Sequence, residues 1–166
     1  MLKLINDNDP ILKTKSTPWL FDSNISLEEA KTLEVDMVQT MITSRGIGLA
    51  ANQVGITKRV FAIHLKGQVP FCMFNPEVIS KDAEEDTSEE GCLSFPNLWL
   101  KVKRPKKILA KYLDRQGKEC TIELKGIDAR CFLHELDHLD GVCFTDRVSK
   151  LKLDMALKKQ RKLIKW

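Results

Sequence analysis

Residues 134–138 read His134-Glu135-Leu136-Asp137-His138, inside a segment from about Ile127 to Leu139 that predicts a helix, with Gly141 just beyond it. Histidines four apart project from one helical face, close enough for both imidazoles to hold one metal ion. Glu135, between them, can stand over an open coordination position and take the proton of a water there. The bland alternative is a charged, solvated turn that matches by chance, and the placement on a predicted helix argues against it.

A metal site that does chemistry uses three protein ligands and keeps a fourth position for water. His64 lies in an apolar strand-like run and reads as a sheet histidine. Asp137 and Asp140 face away from the histidine pair or lie past the helix end. That leaves the five cysteines, Cys72, Cys92, Cys120, Cys131 and Cys143. An odd number at irregular spacing, with no export signal in Met1–Asp7, favours reduced thiols in a cytosol-like compartment over a disulfide framework. Four read as small buried hydrophobes. Cys92 stands apart in Glu90-Gly91-Cys92-Leu93-Ser94, between an acidic loop and a predicted strand, beside a glycine that permits close backbone approach. Spacing alone prefers Cys92 to Cys131 or Cys143 without deciding among them.

The rest of the pattern fits one α+β domain over residues 1–166. Ser26 with Glu29 forms a capping box for a first helix, whose apolar face is Ala30, Leu33, Met37, Val38, Met41 and Ile42 and whose closing glycine is Gly46. Strands are expected at Val60–Ile63 and at Phe71–Phe74, the latter ending at Asn75-Pro76. Ile108–Leu113 and Glu119–Leu124 flank Asp114-Arg115-Gln116-Gly117 as a hairpin. A last helix, from about Leu151 to Ile164, carries Leu153, Ala156, Leu157 and Ile164 on one side. Antiparallel sheets around the histidine-bearing helix, with a second N-terminal helix and a short C-terminal one, are the expected architecture. No apolar run approaches the roughly 18 residues of a spanning helix. The net charge is +4, but the basic residues crowd into a tail over 148–166, where lysines and an arginine face Asp154 alone. Gly46-x-Gly48 lacks the further glycine and the leading strand of a nucleotide-binding loop.

Three blocks, in order, carry a resemblance. Gly46-Ile47-Gly48-Leu49-Ala50-Ala51-Asn52-Gln53, Glu90-Gly91-Cys92-Leu93-Ser94 and His134-Glu135-Leu136-Asp137-His138 resemble the three signature motifs of the peptide deformylases. The likeness extends from Asp9-Pro10-Ile11-Leu12 through Asn75-Pro76 and Arg104-Pro105 to Asp146-Arg147. It implies hydrolysis of the formyl group from the N-terminal formyl-methionine of nascent polypeptides. It implies one divalent metal ion on Cys92, His134 and His138, Fe²⁺ in the cell with Zn²⁺, Ni²⁺ or Co²⁺ able to substitute. It makes Glu135 the general acid/base and assigns the oxyanion to the Gln53 side chain and the Leu93 N–H. Ile47, Gly48, Ile127 and Cys131, together with His134, would line the methionine pocket.

Leu133 stands where most of the family has Gln, a replacement shared with some shortened bacteriophage members, so a viral source is among the expectations. Asn97-Leu98-Trp99 follows the second motif where many bacterial members carry Gly or Arg. The resemblance also implies ribosome contact through the basic tail, a cytoplasmic location (the host cytoplasm for a viral source), and neither membrane nor specific DNA as partner. Two competing functions are a zinc endopeptidase, which the histidine motif alone would fit, and a non-catalytic module with a closed structural metal site.

Overall fold

The structure is a computed structural model that describes residues 2–163. A 3-10 turn at Pro10–Lys13, capped by the Asp9 side chain on the Ile11 N–H, precedes helix α1 (Asn24–Thr43). The reciprocal cap of α1 joins Ser23 and Ser26, not Ser26 and Glu29. Ser23 Oγ accepts from the Ser26 N–H at 3.1 Å, and Ser26 Oγ accepts from the Ser23 N–H at 3.2 Å. Two serines three apart compete with the Ser/Glu pair for the same role, and the earlier one wins by adding a turn of helix.

The other end of α1 also differs from expectation. Arg45, at φ +60°, makes the left-handed turn, while the Gly46 N–H donates back to the Met41 carbonyl at 2.9 Å. Gly46 instead allows a close approach: a Cβ there would stand 2.7 Å from Leu93 Cδ1, which would have to shift. Ile42, placed on the apolar face by periodicity, is 53% exposed.

Seven strands follow: β1 (Gly48–Ala50), β2 (Val60–Ile63), β3 (Phe71–Lys81), β4 (Glu85–Cys92), β5 (Phe95–Pro105), β6 (Lys107–Leu113) and β7 (Glu119–Lys125). Helix α2 (Gly126–Leu139) comes directly after β7, and α3 (Lys150–Leu163) closes the described chain. Ile164, expected at the end of the last helix, lies outside the described residues. β1-β2-β3-β6-β7 form an antiparallel five-stranded sheet, and β4-β5 pair as a separate hairpin. Antiparallel sheets around α2, with a helix toward each terminus, make this an α+β fold.

β2 explains the layering. Its four residues are all buried, because the sheet is covered on both faces. Phe61 and Ile63 pack with Phe132, Leu133 and Leu139 of α2, and Phe61 meets Phe132 edge-on at 5.3 Å. Val60 and Ala62 turn the other way, toward Ala30, Met37 and Met41 of α1. A third cluster joins Leu98, Leu100 and Val102 of β5 to Phe144 and to Leu153, Ala156 and Leu157 of α3. Contacts to the sheet on one side and to β5 on the other leave α2 buried at nearly every position from Ala129 to Leu139.

Two strand assignments change. β3 does not stop at Asn75-Pro76 but continues to Lys81. Asn75 takes φ +47° and a register shift lies between Phe74 and Glu77, so the proline is absorbed in an irregularity where its missing N–H costs no ladder bond. The acidic stretch expected as a loop is the strand β4. Three of its four carboxylates face or pair with a cation of β5: Glu89 lies opposite Lys101 and Asp86 opposite Arg104, and Glu85 pairs with Lys103 at 2.6 Å. The fourth, Glu90, lies opposite Leu100 and pairs with Arg104 and Arg130. Cross-strand charge pairing of this kind makes a strand from a sequence that reads as solvated. The 114–117 turn forms as expected, with Asp114 Oδ1 accepting from the Gln116 and Lys118 N–H groups.

Candidate metal centre

His134, Glu135, Asp137 and His138 are all buried. A solvated helix turn would leave them wet, so that reading fails. α2 turns them toward the β4-β5 hairpin, and the tight turn after β4 brings Cys92 to them. One ligand atom from each of Cys92, His134 and His138 lies within 4.8 Å of the others, and Cys92 Sγ is 3.2 Å from His138 Nε2. A sulfur and a nitrogen on one tetrahedral ion, at about 2.3 and 2.0 Å from it, stand about 3.5 Å apart.

The electrostatics fit a cation. Burial opposes a charge on the His134 ring, yet its hydrogen bonds to Cys92 and Glu90, with the nearby Glu135 carboxyl, push it up to about 10. So many acceptors around one imidazole hold a proton that a divalent cation can replace. Burial and the neighbouring His134 charge hold His138 well below its ordinary value, with a ring lone pair free for a metal. The residues present therefore fit a divalent ion with a taste for sulfur and imidazole. His64, just past β2, is exposed instead of sitting within the sheet, and Asp140 pairs with Arg59 at 2.7 Å. Among the other cysteines, Cys72, Cys131 and Cys143 are buried, whereas Cys120 is half-exposed.

Glu135 lies beside this trio. Burial pushes its carboxyl up to about 7, against the opposing charge of His134, and its Oε2 has no protein partner. Gly48 makes room for it: a Cβ there would stand 2.3 Å from Glu135 Oε1 and 2.8 Å from Cys131 Sγ. Gln53 is aimed by its backbone neighbour. The Ala50 N–H donates to Gln53 Oε1 at 2.8 Å, which leaves the amide nitrogen to donate toward Cys92 Sγ (3.3 Å) and Ser94 Oγ (3.2 Å).

Cys92, His134, Glu135 and Gln53 border one cavity of about 720 Å³, which Ile47, Gly48, Leu93, Ile127 and Cys131 also line. Cys131 is nearly closed off, at 7% exposure, while Ile47 and Ile127 are half-exposed, at the mouth and not at the bottom. Leu133 is buried among the apolar side chains between α2 and the sheet, so the departure at this position adds to the core.

Four residues to which sequence reasoning gave no role support the centre. Glu90 Oε2 meets His134 Nδ1 at 3.0 Å and turns the other ring nitrogen free. Arg104 holds Glu90 with two hydrogen bonds, at 2.9 and 3.0 Å, and reaches Asp137 at 2.6 Å. Arg130 adds a bond to Glu90 at 2.8 Å, and Arg147 grips Asp137 from outside. Burial opposes the Glu90 charge, but His134 and Arg104 hold its carboxyl down at about 2. The alternation Leu98-x-Leu100-x-Val102-x-Arg104 carried a signal, since it puts Arg104 on the inward face of a strand.

A sequence model of the polypeptide deformylases matches residues 1–154. The chain belongs to the polypeptide deformylase family. The peptide deformylase of Rhizobium meliloti is 41% identical over 162 residues, covering 95% of this chain and 90% of that protein. The crystal structure of the deformylase from Thermotoga maritima superposes with a TM-score of 0.84 at 38% identity, covering 90% of this chain and 98% of that one. A deformylase from Synechococcus elongatus, solved in complex with actinonin, gives 0.85 at 38% identity, covering 96% and 85%. Polypeptide deformylases are metal-dependent, and in this deformylase chain the candidate ion site is Cys92, His134 and His138.

Proposed function

We propose that this chain removes the formyl group from the N-terminal formyl-methionine of newly made polypeptides, and that residues 1–166 form a single catalytic domain with 148–166 as its basic tail. The observation that carries the reading is the buried Glu135 carboxyl, whose Oε2 has no partner among the described residues, beside the Cys92-His134-His138 trio, with the Gln53 amide directed at the same point.

Cys92, His134 and His138 would hold a divalent cation, which would supply an acidified water and an electrophile for the formyl oxygen. Glu135, poised near neutrality, takes one proton from the water as its oxygen attacks the formyl carbon. Gln53 Nε2 and the Leu93 N–H donate to the oxygen that gains negative charge. Glu135 passes its proton to the leaving nitrogen and the C–N bond breaks. The formic acid so formed gives its remaining proton to the freed amine, so that formate and the methionine ammonium depart. Gly48, Cys131 and His134, with Ile47 and Ile127 at the mouth, hold the methionine side chain. Fe²⁺ is the ion in the cell, and Zn²⁺, Ni²⁺ or Co²⁺ replace it, because thiolate and imidazole suit all four.

The chain acts in the cytoplasm (the host's, for a viral source), where nascent peptides appear. No described helix is long and apolar enough to cross a membrane. α3 exposes Lys150, Lys152, Lys158, Lys159, Arg161 and Lys162, a surface suited to ribosomal RNA phosphates. Salt-sensitive co-sedimentation with ribosomes is expected, and its absence at low salt would remove that contact.

The deciding experiment is formate release from formyl-Met-Ala-Ser by protein purified without oxygen and loaded with Fe²⁺ or Ni²⁺, with Glu135→Ala beside it. Activity that falls by about 10²–10⁴-fold in the variant, with the metal retained, supports the reading. No formate from fully loaded wild type would end it.

A further inference from the structure

The mouth of the cavity holds an aromatic side chain that the reaction as described does not use. β5 alternates, with Leu98, Leu100, Val102 and Arg104 turned inward. Trp99 therefore points outward and is 62% exposed. The ladder shows how it is held. Glu90 pairs with Leu100, and Cys92 pairs with Phe95 after a register shift. Between these pairs β4 has Gly91 alone, whereas β5 has Pro96 to Trp99. The extra length turns at Asn97, which takes φ +62°.

Trp99 thus comes to lie against Gly91. A Cβ on residue 91 would stand 3.0 Å from Cζ3, 3.1 Å from Cη2 and 3.2 Å from Cε3 of the indole. The bare glycine lets the six-membered ring settle on β4, one residue from Cys92, with its outer surface open. Trp99 borders the same cavity as Cys92, Gln53 and Glu135, and the half-exposed Ile47 and Ile127 make the mouth apolar around it.

An extended peptide advances about 3.3 Å per residue. Gly91 and Trp99 line the same cavity as Glu135, so a chain whose formyl group lies beside Glu135 has Trp99 within reach of the residue after the methionine. We propose that Trp99 is a specificity-determining residue, its indole forming a ledge for a large apolar or aromatic side chain on the residue that follows the methionine. This rests on the deformylase reading above and names the peptides that the same site prefers. Ring-on-ring contact at a partly wet site favours such peptides by about 3–10-fold.

The test compares kcat/KM for formyl-Met-Phe-Ser, formyl-Met-Leu-Ser and formyl-Met-Gly-Ser in the wild type, Trp99→Ala and Trp99→Phe. The wild type is expected to favour Phe over Gly within that range, chiefly through KM. Trp99→Ala is expected to bring the ratio to about one, and Trp99→Phe to restore part of it. A wild type without preference, or an equal loss on all three peptides in Trp99→Ala, overturns the proposal. Calorimetric binding of the product peptides Met-Phe-Ser and Met-Gly-Ser makes the same comparison without turnover. Absent formate release would thus strike the deformylase reading, while the affinity ratio still decides the role of Trp99.

Discussion

Glu90 and His134 are 44 residues apart in sequence, and the Oε2 of one meets the Nδ1 of the other at 3.0 Å, fully inside the protein. This bond ties the end of β4 to the middle of α2 and sets the ring orientation of a candidate metal ligand. It also makes Glu90 the meeting point of His134, Arg104 and Arg130.

The charge at Glu90 should appear in acid unfolding. Its folded pKa, about 2, lies below the ordinary 4.5, so its contribution is fully present above about pH 4.5 and is lost as pH falls through about 2. Glu90→Gln leaves buried guanidinium groups without their counter-charge and should cost about 3–5 kcal/mol at pH 7. Urea unfolding between pH 2 and pH 7 checks both points. A variant as stable as wild type at neutral pH, or with the same acid limb, would refute them.

Gly48 should not accept any side chain. A methyl group there would displace the Glu135 carboxyl, the group proposed to move the proton. Gly48→Ala is expected to lower kcat by about 100-fold or more while the protein still binds its metal. Formate release and metal content, measured on one preparation, separate this from unfolding.

Gln53→Leu keeps the size of the side chain but removes the amide that the Ala50 N–H orients. Loss of one aligned donor to a developing oxyanion costs about 10²–10³ in kcat. A change confined to KM would mean that Gln53 binds substrate without stabilising the transition state.

Removal of the metal with a chelator should abolish activity and lower the melting temperature. An ion present at about 1,000 times its dissociation constant contributes about 4 kcal/mol of stability. Readdition of Zn²⁺, Ni²⁺ or Co²⁺ should restore both. Cys92→Ser should weaken retention of the ion, which competition with a chromophoric chelator would measure. Undiminished affinity in that variant would exclude Cys92 from the ligand set.

Much of the helical framework was legible because it is local. α2, its paired histidines and the 108–124 hairpin follow from spacing along a single element, where periodicity and turn chemistry act over a few residues. Errors arose where two local signals competed, as with Ser23 and Ser26 at the start of α1, or where a partner strand reversed a reading. β4 looks like a solvated acidic loop until the lysines and arginine of β5 lie beside it.

The sequence by itself determined which residues are able to bind a metal and move a proton, and on which helix two of the ligands stand. The three ordered motifs also determined the family. Spacing left Cys92, Cys131 and Cys143 open and the motif resemblance implied Cys92; the tertiary structure is what brings Cys92 to the two histidines. It decided that Arg104 and Glu90 are buried together, and that Trp99 lies on a bare glycine at the cavity mouth. These depend on long-range packing: the pairing of β4 with β5 and the burial of α2 against both sheets. A buried charge must find its partner across the fold, and no local pattern encodes which residue the folded chain will bring to it.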